Sequence, residues 1–87
     1  MRRRYDNKNH TMISKMRASD TVYLTIQGQP DVYTIYRNTD GLWYLCHLND
    51  VNSCYDYGCK TFGALKQLLM RDVDAGIISN VVVQRKQ

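Results

Sequence analysis

The sequence predicts a small α+β domain: an antiparallel β-meander of three to five strands packed against one α-helix, in the order β-β-β-(β)-α-β. Three observations predict it. TVYLTIQ and VYTIYR alternate in β-favouring residues with period two. Turn signals separate these stretches: Gly28–Gln29–Pro30–Asp31, then Asn38–Thr39–Asp40–Gly41. Phe62, Leu65, Leu69 and Val73 then recur at helical spacing, between a capping residue, Thr61, and a stop, Gly76. Eighty-seven residues suffice for one domain.

The elements follow in order. Residues 1–17 are polar and lack clear periodicity, so they read as a flexible basic N-terminal arm; residues 18–87 form the single domain. The first strand begins at Thr21, with Val22, Leu24 and Ile26 on one face and Tyr23, Thr25 and Gln27 on the other. The second runs from Val32 to Arg37, the third from Leu42 to Leu48. The third is apolar on both faces, which suits a central or doubly covered strand. Asn49 to Ser53 reads as a polar turn, and Cys54 to Tyr57 as a short fourth strand ended by Gly58. In the helix, Leu68 joins the apolar face while Lys66, Gln67 and Arg71 fall outside. Ile77 to Val83 is β-branched and makes the last strand.

Charge is unevenly placed. The net charge is +4, yet residues 1–17 carry six cations against Asp6, and residues 18–84 carry four cations against seven aspartates. Arg85 and Lys86 make the other end basic. An acidic body with basic ends confines any phosphate contact to the ends. Ordinary composition excludes a disordered or fibrous chain, and no apolar run reaches a membrane span. The basic start precedes no apolar stretch, so no secretory signal is expected and the location is read as cytoplasmic.

Chemistry-bearing residues do not assemble into a recognisable motif. Cys46, His47, Cys54 and Cys59 lack a short zinc-knuckle spacing, and strand neighbours Cys46 and His47 point to opposite faces. No metal and no cofactor are expected, and the thiols read as reduced, with Cys46 a small core residue. Asp72 and Asp74 diverge on the helix and Asp50 and Asp56 flank a turn, so no pair of carboxylates converges for acid–base work. There is no P-loop or dinucleotide fingerprint. An enzyme is not expected.

Seven tyrosines against one Phe and one Trp are the most unusual feature. A sheet face rich in Tyr binds protein well, because Tyr offers large contact area at low entropic cost. The expected partner-binding residues are Tyr23, Tyr33, Tyr36, Asp40, Asp50, Tyr55, Asp56 and Tyr57. At least one of Tyr33 and Tyr36 should face away from the helix. The leading expectation is a non-enzymatic binding protein that blocks a host nucleic-acid-handling protein stoichiometrically, its acidic turns meeting a basic groove. In size and charge style, without any residue motif, the chain resembles the small orphan products of phages and mobile elements, among them anti-restriction and anti-CRISPR inhibitors. Asp40→Lys or Tyr36→Ala should then weaken partner binding, and loss of residues 1–11 should matter little. The alternative is a β-sheet nucleic-acid-binding module using Arg2, Arg3, Arg4, Lys8, Arg17 and Arg37 with aromatic stacking. A third expectation is a virion or assembly subunit, with Val81 to Val83 pairing edge to edge between copies. Cations on the open sheet face favour nucleic acid; Tyr and Asp there favour a protein partner.

Overall fold

A computed structural model describes residues 7–85, without the side chains of Asn7, Val51, Asn52, Tyr55, Asp56 and Tyr57. Period-two alternation becomes strands as expected: β1 (Thr21–Ile26) and β2 (Val32–Arg37). The tight turn before β3 (Trp43–His47) is held by Gly41, whose φ of 84° suits glycine, and by Asp40, whose Oδ1 accepts from the Leu42 N–H at 2.8 Å. β4 (Asp50–Cys59) is longer than the sequence suggests, and only Leu48 and Asn49 form the turn before it. Two register shifts against β3 accommodate its turn-forming residues. β5 (Ile78–Gln84) returns beside β1, so the antiparallel sheet has the order β4-β3-β2-β1-β5.

Among the described residues two helices, not one, cover one face of this sheet. The expected helix is α2 (Phe62–Asp74). Thr61 caps it, its hydroxyl accepting from the Ala64 N–H at 3.0 Å, and Gly76 (φ 80°) follows its last turn. Leu65, Leu69 and Val73 are buried against Val22, Leu24, Ile26, Leu45 and Ile78 from the sheet.

The additional helix, α1 (Asn7–Lys15), lies inside the segment read as a flexible arm. Its basis is tertiary. Ile13 is fully buried and Met16 nearly so, both within the main core, and a nine-residue helix needs such packing to persist. Lys66 of α2, which the sequence places outside, donates its ammonium to the Ser14 and Met16 carbonyls at 2.7 and 3.2 Å. Those are C-terminal carbonyls without an intrahelical partner, the kind a cation stabilises. His10 lies 3.0 Å from Asp74. Asn9 Oδ1 accepts the Val81 N–H at 3.3 Å, where Asn80 (φ 54°) and Val81 bulge opposite Leu24 in the β1–β5 register. Asn9 and His10 both fall within residues 1–11, so removing that stretch removes two ties to the body. Residues 1–6, with Arg2, Arg3 and Arg4, lie outside the described residues.

Asn9→Ala is expected to leave the buried Val81 N–H without this acceptor and to lower stability by about 1–3 kcal/mol. Urea denaturation measures the loss, and faster amide exchange at Val81 locates it. Among the described residues no helix is long and apolar enough to cross a membrane.

Candidate protein-binding face

Strand pairing decides which side chains the helices leave uncovered. One cross-strand row runs Val82, Tyr23, Thr34, Cys46, Cys54. A second pairs Tyr36 with Tyr44, and a third joins Ser79, Thr25 and Val32. Leu48 adjoins the third row, its N–H donating to the Val32 carbonyl at 2.9 Å. These residues alternate with Val22, Leu24, Tyr33, Ile35, Trp43 and Leu45, which belong to the helix-side core, so they occupy the opposite face.

The exposed large apolar side chains among the described residues are Val32, Tyr36, Leu48 and Val82, each between 36% and 47% accessible. All four stand on this open face or at its rim. Concentration of exposed apolar groups on one uncovered sheet face marks a contact surface more strongly than the same groups scattered singly. Tyr23 and Tyr44 are half-buried beside them. Thr25 and Thr34 spend their hydroxyls locally: Thr34 donates to the Val22 carbonyl at 2.7 Å, and Thr25 to the Ser79 carbonyl at 3.2 Å. The face between the tyrosines is therefore largely satisfied and ready to be desolvated.

The described cations are elsewhere. Lys8 and Lys15 are on α1, Lys66 and Arg71 on α2, and Arg17 and Lys60 in connections. Arg85 reaches toward Asp20, 3.7 Å away, beyond β5. Arg37 ends β2 on the helix side, its guanidinium 5.9 Å from the centre of the Trp43 ring, which packs on Phe62 of α2 at 5.1 Å. Of the expected nucleic-acid residues, Lys8 on α1, Arg17 in the α1–β1 connection and Arg37 on the helix side of β2 are exposed and none occupies a strand position of the open face, while Arg2, Arg3 and Arg4 lie outside the described residues.

The expected partner-binding set divides. Tyr23 and Tyr36 are on the open face. Tyr33 is not: only 2% exposed, it is in the helix-side core, because odd-numbered residues of β2 point that way. Asp40 lies at the rim but is engaged by its own hairpin, Oδ1 with Leu42 and Oδ2 accepting the Tyr44 hydroxyl at 2.8 Å. Asp40→Lys therefore disturbs the turn as well as the charge. Asp50 is exposed at the start of β4, and the side chains of Tyr55, Asp56 and Tyr57 lie outside the described residues. Tyrosine content alone does not point to Val32, Leu48 and Val82; the strand register places them on or beside this face.

A second constellation joins residues the sequence left apart. Asp31 Oδ2 is 3.0 Å from His47 Nδ1, and the Tyr33 hydroxyl is 3.2 Å from His47 Nε2. His47 and Asp31 also line a cleft of about 270 Å³ with Leu48, Asn49, Asp50 and Ser53. The resemblance to a catalytic relay ends at the imidazole. Both ring nitrogens have partners within the fold, and the hydroxyl at one end is on a buried side chain. The arrangement fastens the start of β2 to β3. Tyr33→Phe is expected to lower stability by about 0.5–1.5 kcal/mol without changing partner capture, measured by denaturation and binding side by side.

The cysteines differ from the expected reduced set. Cys46 and Cys54 are directly opposite on β3 and β4 and joined as a disulfide, while Cys59 is free and buried on the helix side. Burial pushes the Cys59 thiol pKa up, so it is a poor nucleophile. The chain matches no protein-family model, no curated protein and no solved structure.

Proposed function

We propose that this chain is a non-catalytic protein-binding domain that docks through its helix-free sheet face, with Tyr23, Tyr36, Tyr44, Val32, Leu48 and Val82 as the contact surface. The carrying observation is the separation of two surfaces. The exposed large apolar side chains cluster on the open face, and the described cations are on the helical side or in connections. A face that approached phosphates by stacking bases would need cations beside its aromatics. An aromatic face with no cation beside it among the described residues suits a protein partner, with tyrosines as anchors in a desolvated centre. The engagement of Asp40 and Asp31 within the fold makes aromatic and aliphatic contact, more than acidic turns, the basis of affinity.

The finer form of the proposal is stoichiometric inhibition of a nucleic-acid-handling protein in the cytoplasm, in the manner of small phage or mobile-element inhibitors. Its support is the acidic balance of residues 18–84, seven aspartates against four cations, beside the exposed aromatic and aliphatic side chains of the open face. The test is affinity capture from a bacterial lysate, with and without nuclease, by wild-type protein and by Tyr36→Ala. A protein captured in a fixed ratio despite nuclease, and lost with Tyr36→Ala, supports the reading. Partners that disappear with nuclease, or are retained equally by Tyr36→Ala, contradict it.

A further inference from the structure

The open face has a covalent feature at one side. Cys46 and Cys54 end the row that begins with Val82 and Tyr23, and Cys54 belongs to β4, the edge strand. Among the described residues β4 pairs only with β3, and that ladder shifts register twice, between Trp43 and Leu45 and again between Cys46 and His47. The cysteine pair therefore ties the edge strand to the sheet between two irregularities, where ladder hydrogen bonding is interrupted.

The two sulfurs are differently placed. Cys46 is fully buried and Cys54 is on an exposed residue. Cys59, the third thiol, is buried on the opposite side of the sheet, in register with Trp43, and burial raises its pKa. An external thiolate accordingly meets Cys54 first, and Cys59 does not compete for the bridge.

We propose that Cys46 and Cys54 form a reversible thiol–disulfide site, reduced by a soluble dithiol, that clamps β4 against β3 and so sets the shape of one side of the open face. A thiolate of the dithiol attacks Cys54 Sγ. The disulfide bond breaks and Cys46 Sγ leaves as a thiolate that takes up a proton. The second thiol of the reductant resolves the mixed disulfide and releases Cys54 as a thiol. The reductant departs as its own disulfide, and the protein has gained two electrons and two protons. Reduction frees β4 to loosen while the β1–β2–β5 part of the sheet keeps its helices. The regulatory consequence, a partner surface that changes with redox state, rests on the proposed reading of the face; the thiol chemistry does not.

The experiment uses the wild-type chain equilibrated in glutathione buffers of graded composition, then in dithiothreitol. Acid-quenched alkylation and intact mass read the bridge; chymotryptic mapping assigns it. The expected result is one two-electron step joining Cys46 to Cys54, with Cys54 alkylated ahead of Cys46 and Cys59 after reduction. Amide exchange across residues 50–59 rises about tenfold on reduction while β1 and β2 are unchanged. Three results overturn the proposal: no bridge in oxidised glutathione, a bridge that engages Cys59, or exchange on β4 that reduction leaves unchanged. No partner enters these readouts, so their failure removes the switch alone. Failure of Tyr36→Ala to affect capture removes the binding role alone.

Discussion

Replacing Ile13 with Ala is expected to lower the free energy of unfolding by about 2–5 kcal/mol, as much as a truncation at Leu65 or Leu69 in the middle of α2. Ile13 is fully buried in the same cluster as those leucines, so its loss leaves a cavity against α2 and β5 rather than an exposed helix end. Small domains have only about 5–15 kcal/mol in total, so this substitution spends a large share of the margin. Chemical denaturation followed by tryptophan fluorescence measures it, since Trp43 is packed on α2. A change within a few tenths of a kcal/mol, the size usual for a surface site, would mean that α1 is not part of the core.

The second large effect concerns binding. Tyr36→Lys combined with Val82→Lys is expected to weaken partner affinity at least about a hundredfold, since each substitution places a charge in a surface that must be desolvated. Both side chains are exposed and neither belongs to the helix-side core, so the melting temperature should stay within a few degrees of wild type. Titration calorimetry against the captured partner, with a thermal melt of each variant, separates the two effects. Lys8→Glu on α1 is the matched control on the other side of the molecule and should leave affinity nearly unchanged.

Much of the fold is legible in the sequence where a local signal and the tertiary structure agree. VYTIYR alternates, ends in an Asn-Thr-Asp-Gly turn, and forms β2 with the expected bounds. Thr61 and Gly76 bracket α2 because capping chemistry is local. The α1 helix is not legible in that way. NKNHTMISK has few apolar residues, and only Met12, Ile13 and Met16 hint at one helical face. Its stability comes from contacts with residues more than fifty positions away, including Lys66, Asp74 and Val81. β4 is obscured for another reason: DVNSCYDYGC is full of turn-forming residues, which the strand accommodates through register shifts.

The candidate face is half legible. Tyr23 and Tyr36 follow from alternation, but the burial of Tyr33 and the exposure of Val32 depend on which parity of β2 faces the helices. That parity is fixed by the β2–β3 register, in which Tyr33 opposes His47 and Tyr36 opposes Tyr44. The Asp31–His47 contact also follows from the hairpin geometry, because it needs the two strands in that register. The cysteine pairing needed the true length of β4, without which Cys54 could not be placed opposite Cys46.

Methyl NMR of the protein titrated with its captured partner shows whether the helix-free face is the binding surface. Val32, Leu48 and Val82 carry methyl groups on or beside that face; Met12, Met16 and Val83 line a cleft beside α1 on the other side. The methyl signals of Val32, Leu48 and Val82 are expected to shift or broaden while those of Met12, Met16 and Val83 hold still. Perturbations concentrated on Met12, Met16 and Val83, with Val32 and Val82 unmoved, would contradict binding through the helix-free face.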